Sequence, residues 1–410
     1  PTILMIGYIP VGYKGGYRIR IEEEIKALLK LGCRVHLACL LPPHNEESIQ
    51  SHQQELESTG AQVYLIPSKS FFNVSLEQSS VLTELNLLKD IVNDKDVHIL
   101  HCQALYSTRI ALLMRDAGVH QKIVYDAHGI TPEEEEMGGA HTSRIESMEQ
   151  WEEQAVTSSE LVIGVSECMK EHFQKKYTVP RSKFSVIPCG VSELSFVGQS
   201  VQEPTYNANR AATVVYMGSL AIWQCNEQMI QLCSQLAERK REYRFLFLLP
   251  EKDHEVANKL MVAHRIPTES VTIKEVSHSA IPTTIAHADI GLLLRQCDPV
   301  NQVSSPTKFG EYLAAGVPII LTDSIGDFSM MVQESDIGLV LESTLLEANT
   351  WPEDSIDKVD NFVERVIRER GEFAARCSGI ARERLHWDTA ARDLLASYRR
   401  LMARPSEEGF

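Results

Sequence analysis

The chain has 410 residues, 43% hydrophobic and 23% charged, which is enough for a packed core and long enough for two or three domains. A net charge of −16 and a pI near 5.4 exclude the general basic footprint on which nucleic-acid binders depend. Nine cysteines without a C-x-x-C pair read as reduced thiols of a cytoplasmic protein, and no apolar run approaches the length of a transmembrane helix.

The chain opens on "PTILMIGYIP", a buried strand, and so reads as having no signal peptide. A Gly-rich loop, "VGYKGGYR", follows, and then "RIEEEIKALLKLG" with helical spacing and a Gly stop. "RVHLACL", "DVHILHC", "KIVYDAHG" and "LVIGVS" are further apolar strands, with helical segments interspersed. This alternation predicts a parallel, doubly wound sheet, a Rossmann-like domain over residues 1–195. Residues 198–212 are polar and turn-rich and read as a linker. The rhythm restarts with "ATVVYMGSL", "YRFLFLLP", "VTIKEV", "DIGLLL" and "GLVL", a second Rossmann-like domain over 210–375. The amphipathic segment "HWDTAARDLLASYRRLM" closes the chain. Ligands of such sheets bind at the carboxyl ends of the strands, so the expected site is a cleft where two such ends face each other.

Three stretches carry candidate chemistry. Gly15 and Gly16 follow the first strand but lack G-x-G-x-x-G spacing, which disfavours a dinucleotide enzyme and leaves either a loop for close ligand approach or a plain turn. In "YDAHGITPEEEE", Asp126 and His128 close a buried strand and Gly129 follows; the four glutamates read as a solvated helix face. A lone histidine is more often a satisfied core residue, but a strand exit favours function.

"VSSPTKFGEYLAAGVPII" reads as a loop, a helix capped by Ser305 with Pro306 in its first turn, and a strand. Lys308 opposes the dipole of that helix, which a bound anion would offset. Glu311 lies three residues on, where it suits two hydroxyls of a ribose or, more plainly, an ion pair with Lys308. No H-E-x-x-H, Cys/His cluster, G-x-S-x-G or Walker loop is present, so no metal or cofactor is expected.

"SSPTKFGEYLAAGVPIILTD" closely resembles the nucleotide-binding segment of glycosyltransferase family four, a GT-B family. "LHCQALYSTRIALLM", "YDAHG", "VIPCGV" and the Trp-led closing helix at 386–402 resemble other family segments in the same order, over nearly the whole chain. The resemblance implies two Rossmann-like domains facing across a cleft, with the last helix returning to the first. It implies a retaining, metal-independent glycosyltransferase that binds a nucleotide-diphosphate sugar in the second domain. The sugar, lipid or small-metabolite acceptor would lie mainly on the first.

Carried across, Glu311 would hold the ribose, His128 would sit near the donor sugar, and Gly15 and Gly16 would lie near the diphosphate or acceptor. Lys308 joins His128 as a catalytic candidate. Ser304, Ser305, Thr307, Gly218, Ser219 and Arg295 are donor-side candidates, and Tyr17, Arg18 and Asp126 acceptor-side ones. The chain departs from the family at Val303, where the first glutamate of E-x7-E is usual, and at Ser219 and Gln224, which stand for an Arg and a Lys. Subfamilies with a Ser-Pro-x-Lys segment share these departures.

A nucleotide-sugar epimerase and a non-catalytic nucleotide-sugar binder remain open as alternatives. "GYKGGYRIR" and "SKSFFNV" could meet an acceptor or the inner face of a membrane, or simply pack as loops. The donor base, the acceptor and the oligomeric state do not follow from the sequence.

Overall fold

The computed structural model describes residues 1–42, 44, 46–68, 81–197, 210–348 and 350–403. Most of the 198–212 segment and all of "SKSFFNV" beyond Ser68 lie outside the described residues. The chain forms two compact units, residues 1–188 with 387–410, and residues 189–386.

In the first unit the elements run β1 (Thr2–Tyr8), α1 (Gly16–Lys30), β2 (Arg34–Leu41), α2 (Glu46–Glu57), β3 (Gln62–Pro67), α3 (Leu82–Asp94) and β4 (Ile99–Gln103). They continue as α4 (Ala104–Asp116), β5 (Lys122–Asp126), α5 (Thr131–Met137), α6 (Thr142–Ser158), β6 (Leu161–Gly164), α7 (Glu167–Tyr177) and β7 (Phe184–Val186). The strands make one seven-stranded parallel sheet in the order β3-β2-β1-β4-β5-β6-β7. Burial of both faces under helices explains the continuous apolar strands, β1 being buried throughout.

The second unit contains β8 (Ala212–Met217), α8 (Asn226–Ala237), β9 (Tyr243–Leu248), α9 (His254–Ala263), β10 (Val271–Lys274), α10 (Ile281–Ile285) and β11 (Ile290–Leu293). It ends with α11 (Pro299–Gln302), α12 (Thr307–Ala314), β12 (Ile319–Thr322), α13 (Phe328–Ser335), β13 (Gly338–Leu341), α14 (Glu353–Arg368) and α15 (Arg370–Arg384). Its sheet is six-stranded and parallel, in the order β10-β9-β8-β11-β12-β13. The second unit extends past residue 375, because Phe373, Cys377 and Ala381 of α15, and Leu385 just after it, are buried in its core. The chain enters and leaves this unit side by side, Val191 pairing with His386 while the Val191 N–H donates to the Leu385 carbonyl at 2.7 Å.

Two doubly wound sheets are thus present, as the alternating pattern predicts. In each, the order reverses direction at one place, between β1 and β4 and between β8 and β11. The loops leaving those strands diverge and open a crevice, which is where ligands of this architecture bind.

The last helix, α16 (Trp387–Ala403), belongs to the first unit and buries Trp387, Leu394, Tyr398 and Leu401 against α1 and its sheet. Leu394→Ala removes a side chain that is 1% exposed, and the expected cost is about 2–5 kcal/mol. The check is urea denaturation of the full chain, read on the transition that reports the first unit. An unchanged midpoint would mean that α16 does not hold this unit together.

Candidate active site

At the carboxyl end of the first sheet, α1 brings Arg20 beneath the strands. Its side chain is 1% exposed, and it donates to Asp126 at the end of β5 through Nη2 (3.0 Å) and Nε (3.2 Å). The same guanidinium donates to the Ile187 carbonyl at 3.1 Å and lies 3.1 Å from Glu24, one helical turn on. Burial opposes ionisation of Asp126, but Arg20, His128 and His101 overcome it and hold the carboxyl well below its ordinary range. Glu24 goes the other way: burial and the nearby Asp126 charge outweigh Arg20 and push it up to about 7.

The polar chain continues outward. His101 Nε2 lies 3.3 Å from Asp126, and its Nδ1 meets the Tyr398 hydroxyl from α16. Gln103, the last residue of β4, donates to Glu24 at 2.9 Å through its amide nitrogen. That leaves the Gln103 carbonyl oxygen as the partner of His128 Nε2 at 2.6 Å. The arrangement assigns the His128 proton to Nε2, so Nδ1 carries the lone pair. Burial lowers the His128 pKa, with Asp126 only partly offsetting it, which favours the neutral ring at neutral pH. The Tyr17 ring lies 4.9 Å from the His128 ring, and its hydroxyl donates to the Gln103 backbone carbonyl and accepts from the Tyr8 N–H.

Ligand atoms of Glu24, His101 and Asp126 lie within 4.8 Å of one another. Arg20 already sits among them and bonds Asp126, so a metal ion would face a guanidinium there. These residues suit a closed ion-pair cluster better than a metal centre.

Other first-unit expectations resolve differently. Arg18 is buried and neutralised by Glu22 (2.5 Å) and Glu55 (2.9 Å), and it also donates to the Tyr13 carbonyl, so it braces the Gly-rich loop. Gly15 is the N-cap of α1, which begins at Gly16, and a Cβ on Gly15 would strike the Tyr13 ring. The run of four glutamates is not simply a solvated face: Glu133 lies 3.2 Å from His172 and 2.8 Å from Lys176, and Glu135 pairs with Arg144 at 2.7 Å. His98 accepts from the Thr2 N–H on the exposed side, away from the buried His101.

In the second unit, Lys308 occupies the reversal point of the sheet. Helix α12 approaches β11 closely because Gly291 has no side chain; a Cβ there would lie 2.8 Å from the Tyr312 ring. From α12 Lys308 reaches Gln224 Oε1 (2.9 Å) and the Tyr216 hydroxyl (3.5 Å), and its ammonium stands 4.7 Å from the Tyr216 ring centroid. Gly218, at φ +127°, passes so near that a Cβ would lie 2.8 Å from Lys308 Nζ. Burial, aided by the Arg295 charge and partly offset by Glu311, holds the Lys308 pKa well below its usual value. Arg295 is 5% exposed, donates to the Trp223 carbonyl at 2.8 Å, and has a buried Nε without a partner. Among the described residues no carboxylate lies within ion-pair distance of Lys308 or Arg295.

Lys308 and Glu311 therefore do not form the plain i,i+3 pair. Glu311 instead lies 3.8 Å from His278, and burial raises its pKa against the His278 and Lys308 charges. The helix starts one residue later than expected, at Thr307, with Pro306 at the N-cap and no side-chain cap. The Ser305 hydroxyl accepts from the Cys189 N–H (2.9 Å) and the Ser304 hydroxyl donates to the Asn301 carbonyl (2.8 Å), so both are tied to backbone. Ser219 presents its carbonyl to the Tyr216 hydroxyl at 2.7 Å, and Val303 is buried. Thr307, the first residue of α12, is half-buried.

Sequence reasoning missed Arg20, Glu24, His101, Gln103 and Tyr398. Arg20 and Glu24 carry a signal in their i,i+4 spacing on α1, and Gln103 in being polar at a strand exit. Tyr398 has none, since its partner is 297 residues away.

Residues 14–193 match the model of Glycosyltransferase Family 4, which spans most of the first unit and less than half of the chain. No curated protein sequence matches. Sucrose-phosphate synthase from Thermosynechococcus elongatus is similar in structure, at TM-score 0.71 and 14% identity, covering 98% of this chain and 99% of its own. A glycosyltransferase from Rickettsia africae gives 0.70 and 16%, covering 98% and 99%. HepE from Anabaena, in complex with UDP, gives 0.70 and 14%, covering 98% and 100%. At these identities the likeness establishes the shared two-domain GT-B fold.

Glu24 yields a test of the buried cluster. Its folded pKa near 7 exceeds the ordinary 4.5, so the folded chain retains a proton that the unfolded chain releases in that window. The Glu24 contribution to stability is therefore complete below about pH 4.5 and declines by roughly 2–3 kcal/mol as pH rises through about 7. Glu24→Gln, which mimics the protonated acid, should flatten that decline when urea midpoints at about pH 5 and about pH 8 are compared. An unaltered slope would place the titration elsewhere.

Proposed function

We propose that the protein is a retaining, metal-independent glycosyltransferase that moves a hexose from a nucleotide-diphosphate sugar to a hydroxyl acceptor. The observation that carries this is the pair of buried cations, Lys308 and Arg295, with no carboxylate at ion-pair distance among the described residues. Uncompensated buried charge is costly, and an anionic ligand removes the cost. The family match over residues 14–193 and the shared fold support sugar transfer as the reaction.

In this reading the diphosphate lies at the β8/β11 reversal point. Lys308 replaces the cation absent at Gln224, since its ammonium is hydrogen-bonded to that very side chain. The N-terminus of α12 adds about half a positive charge. Glu311, aligned with Lys308 on α12 and partly exposed, accepts from the ribose hydroxyls. As the bond from the anomeric carbon to the diphosphate breaks, negative charge grows on the diphosphate, and the buried cations stabilise it.

The acceptor oxygen attacks from the same face, and its proton passes to the departing diphosphate oxygen. Asp126 and Glu24 are closed in around Arg20, so neither serves as a nucleophile. His128 acts on the sugar as it transfers. Cytoplasmic location, with or without contact to an inner membrane face, accompanies this reading; no described helix is long and apolar enough to cross a membrane.

Lys308→Ala should weaken binding of UDP, GDP or ADP, whichever the protein prefers, by at least about tenfold more than it weakens the bare nucleoside. Equal losses for diphosphate and nucleoside would remove Lys308 from the diphosphate site.

His128→Ala should leave nucleoside diphosphate affinity within about tenfold of wild type and lower kcat at least about a hundredfold. Steady-state kinetics with a working acceptor decides this; normal turnover would make His128 structural.

A further inference from the structure

The first unit carries a cavity of about 460 Å³ at its β1/β4 reversal point, a volume typical of small-molecule sites. Its walls are Tyr8, Tyr13, Tyr17, Tyr106, Met148 and Trp151. The tyrosine hydroxyls are largely turned to other work. Tyr17 bridges the Tyr8 N–H and the Gln103 carbonyl, and the Tyr106 hydroxyl meets Ser68 Oγ at 3.3 Å. Most of the wall is therefore ring and aliphatic surface, with Leu105 joining the aromatic side chains and Ser107 and Thr131 adding two small hydroxyls. The Trp151 ring is itself braced by the Arg109 guanidinium, 6.0 Å from its centroid.

The cavity has direction. At one end Gln103 and Tyr17 form the wall and touch His128, through a 2.6 Å hydrogen bond and a 4.9 Å ring contact. Elsewhere Glu135 and Arg144 line it as a closed pair at 2.7 Å, so they add no net charge. Ala104, also lining it, is held at φ +65°, a left-handed conformation that a residue with a Cβ adopts at a cost. Such strain concentrates at ligand sites, and here it turns the chain from β4 into α4 around the cavity.

A carbohydrate or a charged metabolite has more polar groups than the few such side chains on these walls can pair, whereas an apolar body matches the rest. We propose that the acceptor is an amphiphile, an apolar alkyl or aryl body seated in this cavity with its nucleophilic hydroxyl, or the sugar bearing it, at the His128 end. This rests on the glycosyltransferase reading and names the acceptor class for it. The transfer balances as described: the acceptor oxygen bonds the anomeric carbon, the bond to the diphosphate breaks, and the hydroxyl proton goes to the diphosphate.

The test is calorimetry of the full chain with methyl, phenyl and octyl β-D-glucoside, each below its micelle concentration. The same samples are titrated with UDP, GDP and ADP. The phenyl or octyl compound should bind at least about tenfold tighter than methyl, the gain expected from burying about two methylenes. Preference for octyl assigns the alkyl chain of a lipid, and preference for phenyl an aromatic ring; both support the proposal. Tyr13→Ala, at a 40% exposed rim position, and Met148→Trp, which fills the cavity, should each reduce that preference at least about threefold. Both variants should keep wild-type nucleotide affinity, which also shows that they are folded.

Equal affinity for the three glucosides, no binding of any of them, or a preference that survives both substitutions overturns the proposal. Nucleotide binding that depends on Lys308 would then still stand for the transferase reading. Conversely, selective glucoside binding without any nucleotide binding would sink the transferase reading, and with it the acceptor role, while leaving the cavity an amphiphile site.

Discussion

Arg20 governs the first unit. It is large, charged and shielded from water, and such a group survives only where acids and carbonyls surround it closely. Asp126, Glu24 and the Ile187 carbonyl do so, and in meeting that need they fix the ends of α1, β5 and β7 relative to one another. Three polar side chains farther out are placed through these ion pairs. His101 leans on Asp126, Gln103 on Glu24, and His128 on Gln103. The orientation and protonation of His128 are thus consequences of a salt bridge it does not itself make.

The second unit uses the same sheet geometry but resolves its buried charge in the opposite way. Arg295 and Lys308 have carbonyl, amide and aromatic partners but no carboxylate among the described residues. The first cluster is complete as it stands, while in the proposed reading an anionic ligand completes the second. Two crevices of one architecture therefore differ in lining, one largely apolar beside a histidine, the other holding two buried basic side chains.

Small residues set the distances in both crevices. Gly291 lets Tyr312 lie flat on β11 and so lowers α12 onto the sheet; Gly218 leaves room for the Lys308 ammonium. A methyl group at either position would strike an aromatic ring or the charged nitrogen.

The sequence by itself determined the two doubly wound sheets, because strands buried on both faces must be continuously apolar and their helices must recur between them. It also marked Lys308, Glu311 and His128, since polar residues at strand exits and helix starts stand out against an oily background. Tertiary structure decided which partners they take. Local spacing offered Lys308 a plain partner in Glu311 three residues on, yet a flexible lysine stem goes where its charge is best solvated, and that is Gln224 and Tyr216, 84 and 92 residues earlier in the chain. Ser305 looked like a cap and instead accepts from the Cys189 N–H. Arg20 and Glu24 lie in a segment legible only as a helix, and it is the contact with Asp126 at the end of β5 that buries them. Local pattern records propensity and burial; the pairing of charges and the shape of a cavity depend on segments far apart in the chain, and no local pattern holds that information.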